Sequence, residues 1–163
     1  MRGATMEKID WKNLSYYDFI GFVAVTAFLL FVLYFGGLWH ATYDYRIQMR
    51  DQMVEMYKQL PNPIPPIEDD YGVHQRWLVF YIDGVKVLNK PQPENVINEY
   101  KKALEKEGWA TEREYEHVRN DKNKIYGINM RKGEFILSVS ARENRDSINI
   151  HLIKRDWIYN KGF

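Results

Sequence analysis

Four histidines, His40, His74, His117 and His151, are the side chains best suited to metal or acid–base chemistry. None stands at HxxxH, HxH or HExxH spacing, so no pair is preset on one helix turn or one strand to hold a cation. His117 and His151 could meet across a sheet, and His151 sits on the polar side of its strand. There is no cysteine, which removes thiolate metal sites, disulfides and a lipid-modified cysteine. Glu68-Asp69-Asp70 reads as a solvated charge run, and Glu112, Glu114 and Glu116, with Arg113 among them, as the wet face of a strand. No GxSxG, P-loop or GxGxxG motif occurs. The sequence therefore predicts no catalytic residue, no metal and no cofactor: not an enzyme. Lys+Arg number 23 against 22 Asp+Glu, and this balance argues against a nucleic-acid partner.

What the sequence does carry is a membrane signature. Phe19 to Trp39 is a run of 21 residues without a charge. As a helix it would cover roughly 31 Å, the thickness of a hydrocarbon core. Trp11, Tyr16 and Tyr17 before it, with Tyr34, Trp39, Tyr43 and Tyr45 at or beyond its far end, form two aromatic belts. The core is too long for a cleavable signal, and GGLWHATY offers no A-x-A-like site. Arg2, Lys8 and Lys12 on one side balance Arg46, Arg50 and Lys58 on the other, so charge does not set the orientation. The short leading tail and bulky trailing part favour an N-terminus inside. Gly21, Ala24 and Ala27 mark where a partner helix in the membrane could approach closely.

These features order the chain. Residues 1–18 are a short tail, 19–39 a transmembrane helix, and 40–60 a helical stalk free of Pro and Gly. Met49, Met53, Met56 and Leu60 draw an apolar stripe along that stalk, suited to a partner or to the chain's own domain. Residues 61–75 form a proline-rich linker, where Pro61, Pro63, Pro65 and Pro66 stop the helix. Residues 76–163 are the soluble domain. Within it, RWLVFYIDGVKVL reads as a hairpin turning at Asp83-Gly84. PENVINEYKKALEKEG reads as an amphipathic helix closed by Gly108. Alternating stretches at 111–118, 125–130, 134–141 and 147–154 read as strands. The expected fold is α+β: a transmembrane helix extended into a stalk, then an antiparallel sheet of about five strands packed by one helix. Trp157, Tyr159 and Phe163, beside Lys154, Arg155 and Lys161, suggest a C-terminal contact segment.

Pro63-Ile64-Pro65-Pro66, Pro93-Glu94-Asn95-Val96 and the run from Tyr100 to Trp109 (YKKALEKEGW) follow one another over residues 61–154. This order resembles a module of small bacterial envelope proteins held by a lipid anchor or one N-terminal span. Gln92, where a Ser or Thr cap is usual, and the extra Asp-Gly hairpin depart from it. The resemblance implies an envelope location and a binding or scaffolding role, and it brings no catalytic residues. The expected function is a non-catalytic, single-span accessory or scaffolding subunit of a larger bacterial membrane complex. Its partners would be the bilayer and other integral membrane subunits. Its place would be the cytoplasmic membrane, with the domain outside. The alternative is a free-standing anchored domain that binds an envelope protein or small ligand.

Overall fold

The computed structural model describes residues 16–76, 79–89, 91–118 and 123–155. By contact the chain divides into two units, Met1–Tyr43 and Asp44–Phe163. The first carries helix α1, Tyr16–Ala41, whose 26 residues include no buried side chain. A helix apolar all round and covered on no side needs a lipid or protein environment. Asp18 in its first turn and His40 in its last match the helix dipole. Thr42 follows, donating its hydroxyl to the Leu38 carbonyl at 2.8 Å, and a new helix begins at Tyr43.

The second unit holds helix α2 (Tyr43–Lys58), strands β1 (Glu68–Arg76) and β2 (Val79–Val87), and helix α3 (Pro93–Lys106). Strands β3 (Ala110–Val118), β4 (Lys124–Lys132), β5 (Phe135–Arg142) and β6 (Ser147–Lys154) complete it. All pair antiparallel in the order β1-β2-β6-β5-β4-β3. Helix α3 therefore carries the chain from β2 to the far edge, and four consecutive strands return to meet β2 from the other side.

The fold is α+β, as expected, with six strands where about five were anticipated. The additional strand is β1, which occupies the end of the segment read as a linker. Only its alternate residues Asp69, Tyr71, Val73 and Gln75 face inward, opposite Lys86, Gly84, Ile82 and Phe80. Its charged outward residues hide the strand pattern. The Asp83-Gly84 pair is a second correction: it sits in the middle of β2, not at a turn. A Cβ on Gly84 would lie 2.7 Å from Tyr57 Cζ, and closer still to its hydroxyl. Gly84 is there to admit a tyrosine ring against the sheet.

The core lies between one sheet face and the helices. Ile128, Met130, Leu137, Val139, Ile148, Ile150 and Leu152 supply the sheet side, and Val96, Ile97, Tyr100 and Leu104 the α3 side. Pro93 starts α3 with φ preset, although Gln92 makes no side-chain cap bond. At the other end Gly108, at φ +84°, lets the Trp109 N–H reach the Leu104 carbonyl at 3.0 Å, and Trp109 turns into the core.

Helix α2 is not a free stalk. Met49, Met53, Tyr57 and Leu60 are buried in the domain's own core, and Met56 packs at its margin. Each fully buried side chain contributes roughly 1.5–3 kcal/mol, so α2 is part of the fold. Both sheet edges are charged. On β3, Glu112, Glu114 and Glu116 pair with Arg131 (3.4 Å), Lys101 (2.6 Å) and Lys124 (2.7 Å). A register shift between Thr111 and Arg113 disturbs the same strand. Such edges resist pairing with another chain.

Candidate functional site

Two regions gather polar side chains. The first lies on the helix-covered side, where α2, the proline segment, β1 and β2 converge. Lys86 points inward from β2 and is 1% exposed. A buried ammonium must be paired. Lys86 Nζ lies 3.2 Å from Asp69 Oδ2, donates to Asn62 Oδ1, and stands 5.5 Å from the centre of the Tyr57 ring. Tyr57 donates to the other Asp69 oxygen at 3.2 Å, and its ring packs on Tyr71 with centroids 4.8 Å apart. One carboxylate thus ties a helix to two strands. Tyr100 of α3 is buried beside this group, and its hydroxyl has no hydrogen-bond partner among the described residues.

Burial first, then the negative charge of Asp69, pushes the Tyr57 and Tyr100 phenols well above the ordinary tyrosine value near 10. Folded phenols thus hold their protons at pH values where unfolded ones lose them. The stabilisation is complete below about pH 10 and is lost as pH rises beyond it. Denaturant unfolding should show a wild-type stability that drops as pH rises from about 10 to about 12, with Tyr57→Phe dropping less. Equal losses would exclude Tyr57 as a source.

The second region is the sheet face that carries no helix. Across β1, β2 and β6, Asp83 accepts from His151 Nδ1 at 2.7 Å and lies 3.8 Å from His74 Nε2. Tyr81 stacks on His74 at 5.1 Å between ring centres and lies 5.5 Å from His151. The three side chains are about half exposed, so water competes for these contacts. Both imidazoles turn to the carboxylate and not to a shared point. Among the described residues no set of three His, Asp or Glu side chains is arranged to hold a metal. His117 is not near His151: it sits on edge strand β3, with β4 and β5 between them.

Further along the same face a concavity of about 670 Å³ opens over β3, β4 and β5. Strand register orders this face of the sheet in rows. Arg113, Asn129 and Ser138 form one row, Tyr115, Gly127 and Ser140 the next, and His117, Ile125 and Arg142 a third. Tyr115 covers Gly127, where a Cβ would come within 2.7 Å of the ring. A smaller hollow of about 250 Å³, beside Glu94, Glu114 and Glu116, lies between α3 and the β3 edge.

Comparison with protein-family models, with curated proteins and with solved structures finds no match. The chain's own features carry the functional reading. Among the described residues, α1 is the one helix long and apolar enough to cross a membrane, with mean hydropathy 2.4 and nothing buried. That fits a single-pass anchor or a signal sequence. Gly21, Ala24 and Ala27 are exposed on α1, and a Cβ on Gly21 would meet nothing within 4 Å. Of the residues expected to meet a partner through the stalk, Met49, Met53 and Leu60 are instead enclosed by the domain, with Met56 partly so. Their helical spacing is the same whether the apolar surface across from them is foreign or their own. Trp157, Tyr159 and Phe163 lie outside the described residues. The polar floor over β3–β5 escapes a sequence reading, because its members are 29 positions apart from Arg113 to Arg142 and only register assembles them.

Proposed function

We propose that the chain is a non-catalytic, single-span accessory or scaffolding subunit of a bacterial membrane assembly, its small domain outside the cytoplasmic membrane. The observation that carries this reading is that the chain combines α1, an apolar helix with no buried side chain, with a domain whose own described helices cover one face of its sheet. The open side of α1 at Gly21 suits a neighbouring membrane helix. Since α2 is enclosed by its own domain, partner contact falls to α1 and the uncovered sheet face. The resemblance over residues 61–154 to bacterial envelope modules points the same way.

Extraction in a mild detergent without a sugar headgroup, followed by native mass measurement, should give stoichiometric companion subunits. A lone monomer would sink the subunit reading. Protease added to intact cells should clip the C-terminal domain; protection that disappears only on lysis would reverse the orientation. A second reading, a free-standing anchored binding domain, is favoured by the concavity over β3–β5 and would account for a lone monomer.

A further inference from the structure

We infer that the helix-free sheet face carries a binding site for a short acidic oligosaccharide, laid along the strands over Tyr115 from the Arg113 row to the Arg142 row. The inference goes beyond the subunit reading, and in a complex it requires that partners leave the β3–β5 part of this face open.

Asn129, Ser138 and Ser140 are half-buried, yet among the described residues their side chains make no hydrogen bond. Half-buried donors and acceptors without partners are available to a ligand rich in hydroxyls. Tyr115 supplies the other half of sugar recognition. Its ring lies over Gly127, where no side chain intervenes. The electron-rich face of such a ring attracts the weakly positive C–H bonds on one side of a pyranose.

Charge decides between neutral and acidic sugars. Arg113 and Arg142 make no ion pair or side-chain hydrogen bond among the described residues. Glu116, the carboxylate at the rim, is already held by Lys124 at 2.7 Å. The partners of the two arginines on β4, Asn129 and Ile125, are four residues apart, which places the rows about 13 Å apart along the strand. Tyr115 stands in the row between them. Two guanidinium groups without a partner among the described residues, in the rows on either side of an aromatic platform, fit a carboxylate at each end of a few linked sugar rings, since guanidinium binds carboxylate bidentately. Only two arginines contribute a fixed positive charge, too few for a nucleic-acid track. The charged edges on β1 and β3 close the route by which a peptide adds as a strand.

The test uses the full chain in lipid nanodiscs, titrated with trigalacturonic acid and, at equal concentration, with neutral chitotriose, by calorimetry. Saturable binding of the acidic trimer is expected, with chitotriose at least about tenfold weaker. Arg113→Gln and Arg142→Gln should each weaken the acidic trimer about tenfold, as loss of a charge-assisted hydrogen bond does. Tyr115→Ala should weaken it by a similar factor, while Tyr115→Phe, which keeps the platform and the fold, should bind as wild type does. Absence of binding to the acidic trimer overturns the proposal. So does equal affinity for chitotriose, or unchanged affinity in the Arg113→Gln/Arg142→Gln pair. A triglutamate peptide that binds as tightly as the sugar would also overturn it, reducing the site to simple charge attraction.

Discussion

Replacing Gly84 by valine is expected to destabilise the domain by about 3–4 kcal/mol, and by alanine about 2 kcal/mol, beyond the usual effect of a surface change. Gly84 is in a central region of the sheet, bonded to neighbours on both sides through β1 and β6, so its backbone cannot retreat. The obstacle is a rigid aromatic ring with its Cζ 2.7 Å from the new Cβ. Tyr57 itself is 3% exposed and held by Asp69 and Tyr71. Something must leave its place, and the cheapest movement lifts Tyr57 and the end of α2 away from the sheet. Denaturant unfolding gives the loss, and limited proteolysis should find cleavage sites opening near residues 55–60. The double variant Tyr57→Leu/Gly84→Ala should lose less than the sum of its parts, because the shorter side chain vacates the space that the new methyl needs. Strict additivity would show that Gly84 and Tyr57 are not in conflict.

The other large effect concerns Lys86. Asp69→Ala should cost about 3–5 kcal/mol, because it leaves a buried ammonium with only an amide oxygen and a ring face. Lys86→Met should cost far less, about 1 kcal/mol or under. Asp69 is 35% exposed at its side chain and water can solvate it once the lysine has gone, while methionine fills much of the same space. The double variant Asp69→Ala/Lys86→Met should recover most of what Asp69→Ala loses. Equal damage from the two single variants would mean that the pair's mutual attraction, and not the stranded charge, sets the energy.

These two positions also show what the sequence could and could not convey. Helix α3 was legible from end to end: the 3.6-residue pattern of Val96, Ile97, Tyr100 and Leu104, with Pro93 and Gly108 as its limits, is local information. Strands β3 to β6 were legible for the same reason, their alternation being written in adjacent residues. Lys86 was not, because a charged residue in a strand counts as outward until a carboxylate across the sheet is known. Gly84 was misread because Asp-Gly has two physical uses, a tight turn and a close approach, and only the distant Tyr57 selects the second. β1 was hidden by its edge charges. Tyr115 and Arg142 became one surface through register alone, which no window of neighbouring residues encodes. The stripe on α2 correctly marks a buried face; which surface buries it is a tertiary fact.

The strand order has a consequence in time. β6 is the final strand of the chain described, yet it fills the gap between β2 and β5. Ile153 closes against Tyr81, 72 positions earlier. During synthesis the β1–β2 pair, with the α2 side chains and Lys86 beside it, must wait uncovered on one side until almost the whole domain has emerged. Contacts of such long sequence separation slow folding and keep apolar surface open to wrong partners while the chain waits. The domain is therefore one whose maturation is set by its last strand, and a chain cut short before Ser147 would hold two half-sheets with no strand hydrogen-bonded between them.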